Sequence, residues 1–280
     1  MMTDREYATP FSMLHAASLL GQRSRLKKFK EAIDSVVKNG DYVVDIGTGS
    51  GVLAILAAKA GAGRVTAIEI NPESIKYAKE AASLNGVEHL IEFYEGNYSE
   101  FLPEEKADVV ICEMLSSMML VEQQIPASLH ATKNILKPDG SILPQMVSIY
   151  LVPVESYEVW DRFHFSGLQF PRVVQTATPE ATRDLSDMQV LERFDLGFLD
   201  NNIAVDKTLD FSILSKGTLH GFVGVFESKL CEDVHLNMED GWKQLFIPIP
   251  DPIDVVVGDV VSVRIKYQPG KYDSLTIEIS

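Results

Sequence analysis

Two glutamates with an apolar stretch between them are the residues whose types and spacing first suggest chemistry. Glu113 and Glu122 stand at the ends of "EMLSSMMLVE", nine positions apart, and the residues between them are Met, Leu, Val and Ser. Nine steps of about 100° would put the two side chains on opposite faces of a continuous helix, so the carboxylates converge only if the segment bends. A convergent pair suits a guanidinium, which is a planar cation with five hydrogen-bond donors. The other interpretation is that both carboxylates lie on a solvated surface.

A glycine-rich stretch upstream is typical of a nucleotide-binding loop. The segment "VVDIGTGSGVLAILAAKAG" has the order strand, glycine loop and helix that forms the ligand-binding edge of a doubly wound α/β sheet. A dinucleotide fingerprint needs Gly or Ala three positions after its second glycine, and Val52 occupies that position here. This residue disfavours an NAD-linked oxidoreductase. The spacing Asp45-x-Gly47-x-Gly49-x-Gly51 is instead typical of S-adenosylmethionine-dependent methyltransferases.

Residues after the next two predicted strands complete the expected cofactor site. Glu69 ends the second strand, where a carboxylate can accept hydrogen bonds from both ribose hydroxyls. Asn97 and Tyr98 follow the third strand in "YEGNYS", where they are placed to bind the adenine edge. The residues of this part of the chain that we predict to bind the cofactor are Asp45, Gly47, Thr48, Gly49, Gly51, Glu69, Asn97 and Tyr98. No residue is predicted to bind a metal.

The elements that must position these residues follow from the pattern of apolar runs. Short apolar runs alternate with amphipathic stretches in the first half, which predicts an α/β fold with parallel strands and crossover helices on both faces of the sheet. Together with the glycine spacing, this pattern resembles the Rossmann-like sheet of class I methyltransferases. Glu113 directly follows the fourth predicted strand, so it should lie at the carboxyl edge of the sheet, beside the glycine loop. We predict a helix over 23–38, strands over 42–46, 64–70, 91–94 and 108–112, and a later helix that ends at "KPDG" near Leu136.

The pattern changes after Leu143, where β-branched and aromatic segments follow one another without crossover helices. This change predicts a mostly antiparallel, barrel-like second domain. We therefore divide the chain into a helical cofactor-capping segment over 1–40, an S-adenosylmethionine-binding domain over 41–143 and a β-rich substrate domain over 144–280. Residues 155–187 fit neither pattern, and their aromatic residues indicate either an insertion in the core or an exposed interaction arm.

Composition limits the classes of function. The 280 residues carry a formal net charge of −15, which disfavours nucleic acid and favours a basic protein or peptide as partner, although acidity can also serve solubility alone. The two cysteines give no disulfide framework, so a cytoplasmic location is the simplest expectation. No apolar run reaches the roughly 20 residues of a transmembrane helix, so no membrane partner is expected.

The order of the motifs, the Glu-x8-Glu loop and the β-rich second half resemble the protein arginine methyltransferases over nearly the whole chain. The resemblance implies that Glu113 and Glu122 bind the substrate arginine and act in catalysis. It also implies that Arg25, in "RLKKFKEAI", pairs with the carboxylate of the cofactor S-adenosyl-L-methionine, and that Trp242, in "DGWKQLFIPIP", binds substrate. Proteins of this family dimerise through an arm of the β domain, which implies a homodimer through residues 155–187.

Departures from the family pattern concern the walls of the substrate pocket. Met114 and the three residues after it replace the family's Trp-Met-Gly-Tyr, so we expect Met114 to contact the substrate in an altered pocket. Asp240 and Gly241 replace the family's Thr-His. Of the tyrosines in the family's N-terminal stretch, this chain keeps at most one, Tyr7, and Pro10 stands where the last tyrosine would be.

These departures leave other functions open. The acceptor could be another side chain or a small basic metabolite, and the chain could instead be an interaction module that binds the cofactor without turnover. An RNA methyltransferase is disfavoured by the acidity and because Glu113 stands where an Asn-Pro-Pro-aromatic motif would follow the fourth strand.

Overall fold

The computed structural model describes residues 13–280, so Tyr7, Pro10 and the start of the expected 1–40 segment lie outside the described residues. The described chain begins with helix α1 (Met13–Ser18), a 3-10 turn (Leu19–Gly21) and helix α2 (Arg23–Val36). Phe29, Ala32 and Ile33 of α2 are fully buried. Their spacing places them on one face of the helix, which packs against the core.

Five parallel strands form the first sheet of the described chain. They are β1 (Tyr42–Ile46), β2 (Arg64–Glu69), β3 (Ile91–Glu95), β4 (Ala107–Cys112) and β5 (Leu136–Leu143). Their order is β3-β2-β1-β4-β5, so the chain leaves central β1 toward β2 and later returns to β4 on its other side. A crevice therefore opens at the carboxyl ends of β1 and β4. The predicted Rossmann-like sheet is confirmed.

Three helices connect these strands: α3 (Val52–Ala60), α4 (Pro72–Leu84) and α5 (Gln124–His130). The start of α4 is set by local sequence, because the Asn71 side chain accepts hydrogen bonds from the backbone N–H groups of Glu73 and Ser74, and Pro72 occupies the first turn. The helix ends at Leu84, where Asn85 is the C-cap and Gly86 follows with a φ of 70°.

The segment before β5 is less regular than its pattern indicates. α5 continues as one π-helical turn over Ala131–Ile135, close to the predicted helix end. Lys137–Gly140, the predicted stop, then lie within the bounds of β5, where Leu136 pairs opposite Ala107 and Ser141 opposite Val109. The four turn-forming residues therefore bulge out of the ladder and interrupt a strand.

Strands of the second half pair only in antiparallel fashion within the described chain, as predicted. Short helix α6 (Tyr157–Trp160) lies among them. The strands are β6 (Met146–Glu155), β7 (His164–Phe165), β8 (Leu168–Gln169), β9 (Gln175–Ala177), β10 (Arg183–Asp184), β11 (Gln189–Asp195), β12 (Val205–Ser212), β13 (Gly217–Cys231), β14 (Val234–Leu236), β15 (Gln244–Val255), β16 (Val260–Tyr267) and β17 (Thr276–Ile279).

These strands form two main sheets that share a core with the first half. One has the order β10-β6-β13-β15-β9 with β11 and β14 alongside, and the other is β12-β16-β17. Ile46 and Ile111 of the parallel sheet belong to the same buried apolar cluster as Phe222 and Phe226 of β13. Residues of the two halves are therefore held in contact by common packing.

Residues 155–187 combine features of both interpretations given above. Val159 and Phe163 are buried, so the segment is anchored to the antiparallel half. Phe165, Leu168 and Phe170, in contrast, are more than half exposed, with Phe165 at 72%. The segment therefore presents an apolar surface to its surroundings.

Cys112 and Cys231 are buried free thiols. Within residues 13–280, no helix is long and apolar enough to span a membrane. Over the same range, no three His, Cys, Asp or Glu side chains are grouped as a metal site requires.

Candidate active site

A cavity of about 470 Å³ lies at the carboxyl edge of the parallel sheet. Its walls come from α1 and α2, the loops after β1, β2, β3 and β4, and the antiparallel half. Asp45 and Gly51 lie outside its wall. The predicted site residues that line it are Arg25, Gly47, Thr48, Gly49, Glu69, Asn97, Tyr98, Glu113, Met114, Glu122 and Trp242.

The glycine loop, residues 47–51, exposes backbone atoms to the cavity. Gly47, Gly49 and Gly51 have φ angles of 73°, 54° and 80°, which residues with side chains rarely adopt. A Cβ on Gly51 would lie 2.9 Å from the Cβ of Ala78 in α4. Gly51 therefore permits close packing behind the loop, and it is Gly47 and Gly49 that border the cavity.

Asp45 also supports the loop from behind. Its buried carboxylate accepts a hydrogen bond of 2.6 Å from the Thr48 hydroxyl. Burial raises the pKa of Asp45 to about 7, while hydrogen bonds from Thr48 and the Ala54 backbone oppose this shift. The structure thus places the predicted cofactor residue Asp45 near the end of β1, behind the glycine loop, where it fixes Thr48.

Glu69 is held at the cavity by backbone groups. One carboxylate oxygen accepts a hydrogen bond from the N–H of Gly49 at 3.0 Å. The other accepts from the N–H groups of Ile70 at 2.8 Å and Asn71 at 2.9 Å. Three donors therefore fix this carboxylate beside the glycine loop.

Asn97 and Tyr98 lie on the adjacent wall. The Asn97 side-chain oxygen accepts hydrogen bonds of 3.0 Å from the backbone N–H and the hydroxyl of Ser99, which fixes the turn after β3. The Tyr98 hydroxyl donates to the side-chain oxygen of Gln123 at 3.5 Å. Tyr98 therefore connects the wall after β3 with the loop after β4.

Arg25 places a guanidinium against the loop after β4. It forms an ion pair with Glu113, and its Nη1 donates to Gln22 at 2.9 Å. Its Cζ also lies 4.8 Å from the ring centroid of Trp242, a cation–π distance. Burial lowers the pKa of Arg25 to about 10, while the charge of Glu122 opposes this shift. Arg25 therefore stays charged at neutral pH.

Glu122 lies in the same cavity as Glu113. Its enclosure by protein raises its pKa to about 7, and the charge of Arg25 opposes this rise. Its backbone N–H donates to the Ser116 hydroxyl at 3.1 Å. Both glutamates therefore interact with one guanidinium, Glu113 by contact and Glu122 through its charge, and the segment between them bends.

The bend is made by two consecutive methionines in the left-handed region. Met118 and Met119 have φ angles of 60° and 52°, and both side chains are fully buried. Such a conformation costs residues other than glycine of the order of 1–3 kcal/mol each and persists only where surrounding contacts fix it. We call residues 113–122 the acidic loop.

Contacts with the antiparallel half fix the acidic loop. Four hydrogen bonds cross between them, each at 2.9 Å or less: Trp242 Nε1 to the Leu115 carbonyl at 2.8 Å, the Ser117 hydroxyl to the Lys243 carbonyl at 2.5 Å, the Tyr267 hydroxyl to the Met118 carbonyl at 2.9 Å, and the Gly270 N–H to the Met119 carbonyl at 2.9 Å. The strained turn is thus held by residues far away in the sequence.

Met114 lies between the two ends of the cavity. A Cβ built on Gly47 would lie 3.4 Å from the Met114 side chain, so this residue packs against the glycine loop. Its backbone N–H donates to the fully buried side chain of Gln124 at 2.9 Å. We expected Met114 to contact substrate, and the structure places it in the cavity wall beside Gly47.

Asp240 joins α2 to the antiparallel half. Its carboxylate accepts hydrogen bonds from the Ser24 hydroxyl at 2.5 Å and from Lys28 at 2.7 Å. Burial alone would raise the pKa of Asp240, but the bonds from Lys28 and Ser24 hold it below its usual value. The residue that replaces part of the family's Thr-His therefore anchors the helix that carries Arg25.

Sequence reasoning missed several residues of the site: Gln22, Ser116, Met118, Met119, Gln123, Gln124 and Tyr267. The partners of Met118, Met119, Gln123 and Tyr267 are distant in the sequence, and no local motif marks any of the seven residues. Asp240 had one local signal, because Asn237 and Asp240 form a capping box around the turn Met238–Asp240. That signal predicts the turn and says nothing of Lys28.

A comparison with family models finds one match in the first half of the chain. The model described as "Ribosomal protein L11 methyltransferase (PrmA)" matches residues 29–143, less than half of the chain. The matched range contains the parallel sheet, the glycine loop and the acidic loop.

Curated proteins extend the similarity. The chain is 44% identical over 128 residues to an uncharacterized protein of Methanocaldococcus jannaschii, which covers 45% of this chain and 49% of that protein. It is 27% identical over 291 residues to the histone-arginine methyltransferase CARMER of Drosophila ananassae, which covers 91% of this chain and 54% of that protein. The chain thus spans about half the length of these curated relatives.

Solved structures share the fold at low identity. The PRMT1 enzyme-prozyme heterotetrameric complex of Trypanosoma brucei with AdoHcy gives a TM-score of 0.79 at 20% identity, over 93% of this chain and 90% of that chain. Protein arginine methyltransferase 10 of Arabidopsis thaliana gives 0.81 at 21% identity, over 99% of this chain and 95% of that chain. The comparisons therefore confirm the resemblance that the motifs predict: the chain is similar in sequence and in fold to the protein arginine methyltransferases over most of its length.

Proposed function

We propose that the chain is an S-adenosyl-L-methionine-dependent N-methyltransferase that transfers a methyl group to a guanidinium nitrogen of arginine in a basic protein or peptide. The observation that carries the proposal is the guanidinium of Arg25 at the acidic loop, paired with Glu113, influenced by Glu122 and stacked on Trp242. Carboxylates and an indole ring are the partners that a guanidinium prefers. The similarity to CARMER supports the same acceptor.

The cavity fits the proposed cofactor. Its glycine backbone and the fixed carboxylate of Glu69 suit an adenosyl group, whose ribose hydroxyls are donors. When bound, S-adenosylmethionine supplies an activated methyl group on a sulfonium. We assign the glycine loop (Gly47, Thr48, Gly49) to close backbone approach, Glu69 to the ribose, Asn97 and Tyr98 to the adenine, and Arg25 to the carboxylate, with Asp45 and Gly51 in support.

Arg25 is able to serve two partners. A guanidinium has five donors in a planar fork, so it can keep its ion pair with Glu113 and also bind a carboxylate of the cofactor. In this role Arg25 joins the cofactor end and the acceptor end of the cavity.

The two glutamates position the acceptor. A guanidinium nitrogen is a poor nucleophile because its lone pair is delocalised, and holding it in line with the methyl group can contribute roughly 7 to 11 kcal/mol. Carboxylates on the far side of the acceptor attract its positive charge away from the attacking nitrogen and stabilise the cation that develops. Glu113 and Glu122 are the groups we assign to this task.

A proton must leave the acceptor nitrogen as the new bond forms. One of the glutamates, or a water molecule, accepts it. With a pKa of about 7, Glu122 is partly ionised at neutral pH and its carboxylate is basic enough to take up a proton.

The proposed partner arrangement is a homodimer in the cytoplasm. The exposed Phe165, Leu168 and Phe170 supply an apolar surface for a second copy, and the two free thiols suit a reducing compartment. In analytical ultracentrifugation, the wild type should sediment as a dimer, and Phe165→Ser should dissociate to monomers at a higher protein concentration than the wild type does. A wild-type monomer at micromolar concentration would contradict this arrangement.

A different acceptor is the second candidate. The match of residues 29–143 to a ribosomal protein L11 methyltransferase model, together with Met114 to Ser117 in place of Trp-Met-Gly-Tyr, favours methyl transfer to another protein side chain. A small basic metabolite and a binding module without turnover remain outcomes of the same experiment.

Labelled S-adenosylmethionine and an extract of the source organism discriminate these functions. We expect label on arginine by peptide mass spectrometry, and its loss with Glu113→Gln. Label on another residue or on a small molecule would favour the second candidate. Tight cofactor binding with no label would favour the binding module.

A further inference from the structure

The conformation of the acidic loop requires an external support. Met118 and Met119 are consecutive non-glycine residues with positive φ, and the turn has little hydrogen bonding of its own. Met119 N–H donates to the Ser116 carbonyl at 2.8 Å, whereas the corresponding bond from Leu120 to Ser117 is long at 3.5 Å. Strain of this kind is retained where a functional geometry depends on it and the surroundings enforce it.

Tyr267 provides a direct support at the strained residue. This tyrosine, at the end of β16, is 2% exposed, and its hydroxyl donates to the Met118 carbonyl at 2.9 Å. Burial raises the pKa of this phenol above its usual value, so the hydroxyl keeps its proton and remains a donor. Three residues further on, beyond the end of β16, the Gly270 N–H donates to the Met119 carbonyl at 2.9 Å.

β13 supports the same turn from another side. The Met118 side chain lies so close to Gly224 that a Cβ there would clash with its sulfur and Cγ. The absence of a side chain at Gly224 therefore leaves the space that the Met118 side chain fills. Neither Tyr267 nor Gly224 lines the cavity.

We propose that Tyr267 is a positioning residue for methyl transfer: its hydroxyl holds the left-handed turn at Met118 and so brings Glu122 to the acceptor beside Glu113. The inference rests on the proposed function, because it assigns Tyr267 to the acceptor carboxylates. Tyr267 does not touch the cofactor end, so its effect falls on acceptor binding and transfer. The second glutamate is thereby placed by the antiparallel half, across 145 residues of sequence.

Tyr267→Phe tests this role with the loss of a single oxygen atom. We expect kcat/KM for an arginine-containing basic peptide to fall about tenfold, since the buried Met118 carbonyl loses its donor. The dissociation constant of S-adenosylmethionine, measured by calorimetry, should stay within twofold. The pH at which transfer reaches half its maximum should also move, because Glu122 leaves its enclosed position.

Tyr42→Phe is the matched control. Tyr42 is also buried, and its hydroxyl is hydrogen-bonded to Thr66 at 3.0 Å, but it lies at the start of β1, away from the cavity. A similar loss of thermal stability is expected in both variants, and the loss of kcat/KM and the change in pH profile only in Tyr267→Phe. Equal kinetic effects in the two variants would overturn the positioning role.

Hydrogen exchange provides a readout that does not depend on the acceptor. In Tyr267→Phe, amides of residues 113–122 should exchange faster, and those of residues 45–51 should not change. Gly224→Ala, which displaces Met118 from β13, should give the same pattern. Unchanged exchange of residues 113–122 in Tyr267→Phe would overturn the inference, while wild-type inactivity on arginine with altered exchange would refute the proposed acceptor alone.

Discussion

The two loops that border the cavity are stabilised in opposite ways. The glycine loop after β1 takes its shape mainly from its three glycines at positive φ and from the short-range Asp45–Thr48 bond, and Glu69 at the end of β2 adds one hydrogen bond. The acidic loop reaches positive φ with methionines and depends on Trp242, Lys243, Tyr267 and Gly270. The difference teaches that the cofactor end is specified locally and the acceptor end by the rest of the fold.

This difference has a consequence for the acceptor. Substitutions in the antiparallel half can move Glu122 without changing the glycine loop, so the acceptor can change while the cofactor stays the same. The two ends should accordingly respond separately to mutation, and the variants below test that separation from the largest expected effect to the smallest.

Glu122→Gln should break the acceptor end alone. We expect kcat/KM for an arginine peptide to fall at least about 100-fold, because the charge that orients the guanidinium is lost. The dissociation constant of S-adenosylmethionine should remain within about threefold in calorimetry. A parallel loss of cofactor affinity would contradict the separation of the two ends.

Gly51→Ala should break the cofactor end. The added Cβ meets Ala78 at 2.9 Å, and the residue has a φ of 80°, so we expect a loss of about 2–3 kcal/mol in the free energy of unfolding and weaker cofactor binding. Gly86→Ala is the control, since Gly86 has a φ of 70° with no heavy atom within 4 Å of an added Cβ. Urea unfolding of both variants separates packing from backbone strain. Equal losses would show that the contact with Ala78 is unimportant.

The pH dependence of stability sharpens the comparison, because each loop contains one carboxyl group with a raised pKa. Burial brings Asp45 and Glu122 to about 7, above the values of an unfolded chain. The folded state therefore binds more protons than the unfolded state, and stability should fall as pH rises from about 4 to about 7. In Asp45→Asn, the decrease in the free energy of unfolding between pH 4 and pH 7, measured by urea titration, should be smaller than in the wild type by about 2 kcal/mol. An unchanged slope would contradict the raised pKa of Asp45.

Trp242→Phe should give the smallest effect. An aromatic ring remains at this position, and the bond from Nε1 to the Leu115 carbonyl is lost, which corresponds to about 1 kcal/mol. We expect KM for an arginine peptide to rise about fivefold with little change in cofactor affinity. A larger change in the dissociation constant of the cofactor than in KM for the peptide would contradict the assignment of Trp242 to the acceptor end of the cavity.

The same contrast explains what the sequence could predict. The glycine spacing and the apolar runs are local features, and they predicted the glycine loop and the parallel sheet. The nine-residue spacing of Glu113 and Glu122 predicted that the segment bends. Methionine has no preference for positive φ, so the sequence could not show that the bend lies at Met118 and Met119. The fold supplies it through Tyr267.

Asp240 shows the same limit in a second place. From the sequence it is a substitution for part of the family's Thr-His, and only the folded chain brings Ser24 and Lys28 to it. Met114 is similar, since its contact with Gly47 depends on how β4 and β1 end side by side. The glycine loop, which a local spacing marks, was predictable, and residues whose partners lie across the cavity were not.

The hydrogen bonds from Tyr267 and Gly270 also set an order of assembly during synthesis. The parallel sheet, the glycine loop and Glu113 all precede residue 144, so they leave the ribosome well before residue 270. Until then, Met118 and Met119 lack the groups that hold their backbone, and the second glutamate is not fixed beside the first. The acidic loop can thus reach its final conformation only after the last strands of the chain have been synthesised.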